Sequence, residues 1–140
     1  MSVPLTAQFL RECKRFAVVG ASADRSKFGN KVLRAYADAG LEVVPVHPKL
    51  DEIEGLAVKQ LEDLENPAEW GISIVTPPAI SAKVLEKAHG LGFRWFWFQP
   101  GAENAEVKEL AAGMEDSHVL AGGPCVLVSI RRGEHRAAGL

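Results

Sequence analysis

Short apolar runs alternate along the chain with longer segments in which apolar residues recur at helical spacing. Unbroken apolar runs are typical of strands covered on both faces, and apolar residues three and four positions apart are typical of helices that pack on one side. The runs predict strands at 16–19, 42–46, 71–75, 94–98 and 118–120. The helical spacing predicts helices at about 27–39, 79–91 and 103–114.

The alternation of strands and helices predicts an α/β fold. Crossover connections between strands are right-handed, so the strands of such a chain lie parallel. We expect a Rossmann-like parallel sheet of about five strands with helices on both faces. At 140 residues the chain fits a single domain, 1–140, with its core at about 16–130.

The segments outside this alternation are less regular. A short helix is expected before the first strand, with the Thr6 hydroxyl as its cap. The acidic stretch 51–67 is expected to be a crossover with a turn at Gly55 and one helical turn near 60–64. A last apolar segment spans 126–130, and we expect the tail, 131–140, to be loosely ordered.

Composition narrows the classes of partner. The chain has 16 Lys and Arg residues against 18 Asp and Glu residues, and a net charge of −2 argues against non-specific binding to nucleic acid or a membrane surface. No apolar stretch approaches the roughly 18 residues of a membrane span, and the first residues show no leader pattern, so we expect a cytoplasmic protein. Cys13 and Cys125 lack metal-ligand spacing, so neither a zinc site nor a disulfide framework is expected.

Candidate chemistry lies in the loops that follow the first two strands. The first strand runs into Gly20-Ala21-Ser22 and then a helix, and such a turn directs backbone N–H groups and the helix dipole at a phosphate. The second strand ends in His47-Pro48-Lys49, where a site for NAD has an acidic residue. A cation at this point favours a ligand that carries more phosphate than NAD, and leaves NADP open.

These loops resemble those of the CoA-binding domain at the N-terminal end of succinyl-CoA synthetase α subunits and ADP-forming acyl-CoA synthetases. The same domain occurs as small stand-alone CoA-binding proteins. The resemblance covers about 16–128. It rests on Val18–Ser22 with Phe28-Gly29 and Val32-Leu33, Val44–Lys49 with Glu52–Gly55, Val75–Pro78, Gln99–Gly101 and Gly123–Cys125.

The resemblance implies coenzyme A, or an acyl-CoA, as the ligand at the carboxyl ends of the strands. The first loop would meet the CoA phosphates, with Arg25 and Lys27 adding charge, and Lys49 would lie near the ribose phosphate. The Thr-Pro-Pro loop would contact the adenine or the start of the pantetheine arm, which Gln99 and Gly101 would border. The implied binding residues are Gly20, Ala21, Ser22, Arg25, Lys27, Phe28, His47, Pro48, Lys49, Thr76, Pro77, Pro78, Gln99 and Gly101.

No catalytic constellation is evident in the sequence. None of the four histidines has a Ser, Cys or acidic partner at the spacing of a triad. Cys125 lies near a loop and a thiol there is able to pair with the sulfur of CoA, but a buried structural cysteine is the expected role. We therefore expect a non-catalytic CoA-binding module. Two alternatives stay open, an NAD(P)-binding redox or sensor domain and the CoA-binding subunit of an acyl-CoA ligase.

Overall fold

Five α-helices and seven strands form residues 3–136, the part of the chain that the computed structural model describes. The helices are α1 (Leu5–Glu12), α2 (Phe28–Asp38), α3 (Pro78–Gly90), α4 (Ala105–Ala112) and α5 (Val126–Arg131). The strands are β1 (Arg15–Val19), β2 (Val43–Val46), β3 (Glu52–Ile53), β4 (Leu56–Ala57), β5 (Trp70–Ile74), β6 (Trp95–Phe98) and β7 (His118–Leu120). Single 3-10 turns lie at Leu61–Asp63 and Pro67–Glu69.

The main sheet has five parallel strands in the order β2-β1-β5-β6-β7. The predicted parallel sheet is confirmed. The chain passes from β1 outward to β2 and then returns to the other side of β1 as β5. This change of direction opens a crevice at the carboxyl ends of β1 and β5, where ligands bind in open α/β sheets.

Helices cover both faces of the sheet, as predicted. One face packs against α1, α2 and α5, and the other packs against α3 and α4. Strand β6 shows how the two faces divide a continuous aromatic run. Phe96 and Phe98 lie in the core under α3 and α4, whereas Trp97 lies in the core on the opposite face. Successive strand side chains point to opposite faces, so an apolar run serves both cores.

Helix α1 packs against the segment that follows α5, which differs from expectation. Thr6 does not cap α1: the N-cap residue is Pro4, and the Thr6 hydroxyl donates to the Glu134 carboxylate. The expected loose order is wrong for 131–136, because Arg131 ends α5 and Arg11 donates from Nε to the Glu134 carbonyl at 2.9 Å. Residues 137–140 of the predicted tail lie outside the described residues. The apolar segment 126–130 is helical.

The acidic crossover contains structure of its own. Strands β3 and β4 pair antiparallel, with Ile53 opposite Leu56, and the turn between them includes Gly55 at φ 77°. The predicted turn is confirmed, and the predicted helical turn is the 3-10 turn that begins at Leu61. None of the helices in residues 3–136 is both long and apolar enough to span a bilayer.

Candidate functional site

Glycine sets the geometry of the first loop. Gly20 has φ +94°, and a Cβ added there would lie 3.0 Å from the backbone carbon of Val75. A Cβ on Gly29 would lie 2.2 Å from the Gly20 carbonyl oxygen, a distance that no real contact reaches. The start of α2 therefore packs directly against the end of β1, with no room for a side chain between them.

The first loop offers backbone donors. In residues 3–136, the N–H groups of Ala21, Ser22 and Ala23 donate to no other group of the protein. The Ser22 hydroxyl accepts from the Asp24 N–H at 3.1 Å, and the Asp24 carboxylate accepts from the side chain and the N–H of Ser26 at 2.7 and 2.9 Å. These hydrogen bonds from Ser26 hold the pKa of Asp24 below its ordinary value. A loop with free N–H groups at the start of a helix suits an anion such as phosphate.

Asn30 joins the first loop to the β3–β4 hairpin. It is fully buried, and its Nδ2 donates to the Ser22 carbonyl at 2.8 Å and to Glu54 Oε2 at 3.0 Å. Its Oδ1 accepts from Arg34 Nε at 2.7 Å. Sequence reasoning missed Asn30 and Glu54 as site residues. The available signal was the position of Asn30 three residues before Leu33, which places a polar side chain on the buried stripe of α2.

Arg25 is held on the hairpin side of the first loop. Its Nε lies 3.3 Å from Glu54 Oε2, and its carbonyl accepts from Arg34 Nη2 at 3.1 Å. The Arg25 side chain is 66% exposed, so the guanidinium is free to exchange this carboxylate for a phosphate. Lys27 is exposed and stands at the N-cap of α2.

His47 shapes the loop after β2. Its Nδ1 accepts from the N–H groups of Lys49 and Leu50, each at 3.0 Å. Its carbonyl accepts from Gln60 Nε2 at 2.6 Å. The imidazole therefore folds the turn, while Pro48 and Lys49 are exposed at the carboxyl edge of the sheet.

A largely apolar cavity of about 550 Å³ lies beside the first loop. It brings together four residues of the predicted site, from the start of α2 and from the loops after β5 and β6, and adds Cys125 before α5. The lining residues are Phe28, Val75, Thr76, Pro77, Pro100, Gly101, Ala102 and Cys125. Thr76 is fixed by a 2.8 Å hydrogen bond to the Ser81 hydroxyl, and Pro78 is the first residue of α3. A wall of carbon and proline rings suits an uncharged chain.

Gln99 and Cys125 lie in environments that differ from the expected ones. Gln99 is fully buried, and its Oε1 accepts from the Val126 N–H at 2.8 Å. Its side chain therefore packs against the start of α5 instead of lining the cavity. Cys125, expected to be buried, is partly exposed in the cavity wall, so that expectation is wrong.

The His, Cys, Asp and Glu side chains of the described residues do not form a metal site. Across residues 3–136, no group of three or more His, Cys, Asp or Glu residues has the arrangement of a metal site. The His89–Asp116 pair, at 2.9 Å, lies next to Arg94 at the opposite edge, before β6 and β7 begin. The hydrogen bond from His89 lowers the pKa of Asp116.

Known proteins match most of this fold. The chain is 35% identical in sequence to a conserved hypothetical protein from Pyrococcus furiosus, whose solved structure aligns with a TM-score of 0.75 over 83% of this chain and 98% of that one. It is also 32% identical over 111 residues to the uncharacterized protein YneT of Bacillus subtilis (strain 168). The aligned stretch covers 74% of this chain and 76% of YneT.

A larger enzyme matches over a shorter stretch. The chain is 32% identical over 82 residues to the ADP-forming acetate–CoA ligase of Methanocaldococcus jannaschii, and this stretch covers 58% of the chain but 12% of the ligase. The family model described as a CoA binding domain matches residues 14–131. This range includes the first loop, the cavity lining and Cys125, and it confirms the resemblance on which the site was predicted. The chain belongs to the CoA binding domain family.

Proposed function

We propose that this protein, acting as one domain over residues 1–140, binds coenzyme A or an acyl-CoA at the carboxyl ends of its parallel strands and catalyses no reaction of its own. The observation that carries the proposal is the juxtaposition of two unlike surfaces within the matched range. A glycine-shaped loop with free N–H groups lies beside an uncharged cavity. CoA has the same division, with phosphates at one end and a long uncharged arm at the other.

The phosphates are assigned to the polar loops. The free N–H groups of 21–23 take the pyrophosphate, and Arg25 adds a charge-assisted hydrogen bond after it leaves Glu54. Lys49 takes the 3′-phosphate from the neighbouring strand end, with Lys27 as a further cation. His47 and Pro48 hold the turn that presents Lys49.

The uncharged arm is assigned to the cavity. Phe28, Thr76 and Pro77 form the side nearest the first loop, and Gly101 lies on the far side, after β6. Pro78 begins the helix behind this wall, and Gln99 supports it from within the fold. None of the side chains that line the cavity is a histidine or a carboxylate, which supports a role in binding rather than in acid–base catalysis.

A second candidate function is that of a CoA-binding subunit of an acyl-CoA ligase that works with a separate chain. The match to 82 residues of the acetate–CoA ligase favours it. Acyl-CoA formation from acetate, CoA and ATP by a co-purified complex, but not by this chain alone, would support this candidate over a free-standing module.

The direct test is isothermal titration of the purified chain with CoA, dephospho-CoA, NAD and NADP in one buffer. We expect saturable binding of CoA and weaker binding of dephospho-CoA. Lys49→Ala should weaken CoA by about 1 kcal/mol, roughly fivefold, because it removes one cation from a phosphate at the surface. The same variant should leave dephospho-CoA unchanged, because that ligand lacks the 3′-phosphate.

Lys14→Ala is the matched control, since Lys14 is an exposed lysine at the opposite edge of the sheet, 3.6 Å from Glu69. It should bind both ligands as the unaltered protein does. Binding of NADP without binding of CoA would refute the proposal and support the NAD(P)-binding alternative. If the two lysine variants changed CoA affinity equally, Lys49 would not be part of the CoA-binding site.

A further inference from the structure

The carboxylate at the tip of the β3–β4 hairpin contacts two residues of the polar end of the site. Oε2 of Glu54 lies 3.3 Å from Arg25 Nε and accepts from Asn30 Nδ2 at 3.0 Å. The Glu54 side chain is 24% exposed, whereas the Arg25 side chain is 66% exposed. A largely covered carboxylate is therefore fixed beside the cation that the proposed function assigns to the pyrophosphate of CoA.

Asn30 holds this carboxylate in place. One N–H of its Nδ2 donates to the Ser22 carbonyl at 2.8 Å, and the other donates to Glu54. Asn30 is fully buried, so loss of an acceptor would leave a buried N–H unpaired, which costs free energy. Arg34 donates both to Asn30 Oδ1 and to the Arg25 carbonyl. The Glu54 carboxylate and the Arg25 backbone are thus both anchored, and the Arg25 side chain is the part that can move.

Glu54 occupies a backbone position that does not favour glutamate. It forms the two-residue turn of the hairpin together with Gly55, and the two residues have φ values of 53° and 77°. Glycine, asparagine and aspartate adopt a positive φ more readily than glutamate does. The turn therefore carries a longer side chain than its backbone favours, and this side chain reaches Arg25 and Asn30.

The contact between Arg25 and Glu54 is weaker than the contact that the same guanidinium makes with a phosphate in good geometry. One nitrogen of Arg25 faces one oxygen of Glu54 at 3.3 Å. A guanidinium has five N–H donors and binds phosphate in a bidentate manner, and partly exposed ion pairs contribute little to stability. Arg25 can therefore exchange Glu54 for a phosphate. The exchange breaks the ion pair, because the anchored carboxylate cannot follow.

We propose that Glu54 is an internal competitor for Arg25, a carboxylate that takes the place of a ligand phosphate and so limits the affinity of the polar loops. This inference rests on the proposed function. A small anion that depends on Arg25 alone would not displace Glu54. CoA, which the N–H groups of 21–23 and Lys49 also hold, would displace it. Glu54 thus selects for ligands that make several phosphate contacts at once.

The test is isothermal titration of CoA into the unaltered full chain and into Glu54→Gln. Glutamine keeps the length of the side chain, and its carbonyl still accepts from Asn30, but the charge that holds Arg25 is removed. We expect Glu54→Gln to bind CoA about threefold more tightly, because one partly exposed ion pair no longer competes. The same variant should unfold at a slightly lower temperature without CoA, because the folded chain has lost that ion pair.

Two further variants control for charge and for Arg25. Glu52→Gln is the matched control, since Glu52 is an exposed glutamate in the same hairpin and its replacement changes the net charge equally. It should leave CoA affinity unchanged. Arg25→Ala should itself weaken CoA binding, and the addition of Glu54→Gln to Arg25→Ala should not restore any affinity, because the cation to be released is gone.

The direction of the change decides between competition and positioning. Weaker CoA binding by Glu54→Gln would mean that Glu54 positions Arg25 for the ligand, and this inference would be overturned. Unchanged binding, an equal gain in Glu52→Gln, or a gain that persists without Arg25 would overturn it as well. In each of these cases the unaltered chain still binds CoA and the proposed function stands. Failure of the unaltered chain to bind CoA would overturn both.

Discussion

The two ends of the carboxyl edge are built differently. The polar end comprises the loops at 20–27 and 47–49, and the cavity end comprises the loops at 75–77 and 100–102 with Cys125. The polar end is fixed by directional contacts, among them the hydrogen bonds that Asn30 makes to the first loop and to the hairpin. The cavity end is shaped mainly by proline rings and apolar side chains.

This difference has a consequence for recognition. Directional contacts that exist before the ligand arrives select where a charge sits, and they cost little ordering on binding. An apolar wall selects shape and length and tolerates chemical variation. We therefore expect the polar end to define the nucleotide and the cavity end to define what is attached to it.

The largest effect is expected from Gly29→Ala, where the start of α2 meets the first loop of the polar end. Its Cβ would lie 2.2 Å from a backbone oxygen that cannot rotate away, so the loop or α2 must shift. Overpacking of this kind costs about 3 kcal/mol of unfolding free energy, and a displaced loop should lower CoA affinity by at least about tenfold. Urea unfolding and calorimetric titration measure the two effects.

The matched control is Gly90→Ala, at the end of α3, where an added Cβ meets nothing within 4 Å. It should leave CoA affinity unchanged and raise stability by at most about 1 kcal/mol, since alanine favours the helix. A Gly29→Ala protein as stable and as tight-binding as this control would show that the first loop is not the rigid part of the site.

A medium effect is expected from Phe28→Ala. Comparing CoA with a ligand that lacks the arm separates the contribution of the cavity end from that of the polar end. Phe28 lines the cavity at its junction with the first loop. Loss of its ring should weaken CoA by about 1.5 kcal/mol, roughly tenfold, because less apolar surface is covered by the arm. Adenosine 3′,5′-bisphosphate, which lacks the arm, should bind as before in the same calorimeter.

Lys49→Ala should weaken the binding of CoA and of adenosine 3′,5′-bisphosphate by the same factor, because both ligands carry the 3′-phosphate. Phe28→Ala could instead weaken the binding of both ligands by the same factor and lower the thermal stability of the protein to a matching extent. That result would mean that the phenyl ring supports the loop rather than the arm. The division into two ends would then be wrong at that junction.

The smallest effect is expected from the Asp24 turn of the polar end. The Ser26 hydrogen bonds lower the pKa of Asp24 from its ordinary value of 3.8, so the carboxylate stabilises the folded chain above that pH. This contribution is lost as the pH falls through the depressed folded-state pKa. Thermal unfolding of Asp24→Asn and of the unaltered chain should therefore differ at pH values above 3.8 and converge below it. A gap that widens on acidification would contradict the assigned sign.

The sheet and its helices were predictable because burial on two faces leaves unbroken apolar runs. Strand β6 was expected at 94–98 and lies at Trp95–Phe98, and α3 was expected at 79–91 and lies at Pro78–Gly90. The sequence predicted Phe28, Thr76, Pro77 and Gly101 as site residues, and the fold brings them to one cavity. Parallel strands place all their carboxyl ends at one edge of the sheet. The position of these residues directly after predicted strands was therefore enough to predict that they lie close together.

Contacts between distant segments were not predictable. Gly55 signalled the turn of the β3–β4 hairpin, but each strand of the hairpin has two residues, too few to show alternation. The pairing of Glu54 with Arg25 and Asn30 follows from the hairpin's position and has no local signature. Thr6 was misread as a cap because its partner, Glu134, lies 128 residues away.

The close approach of Gly29 to Gly20 bears on how such a site persists through evolution. In the proposed site, this approach brings main-chain N–H groups to the phosphates, so the anion contacts depend on the two glycines rather than on a particular side chain. Neighbouring side chains are then not needed for these contacts and can be substituted. If the proposed site is right, relatives that keep both glycines should keep one phosphate-binding geometry while the cations around it and the wall beyond it change, so that new ligands can be acquired without rebuilding the loop.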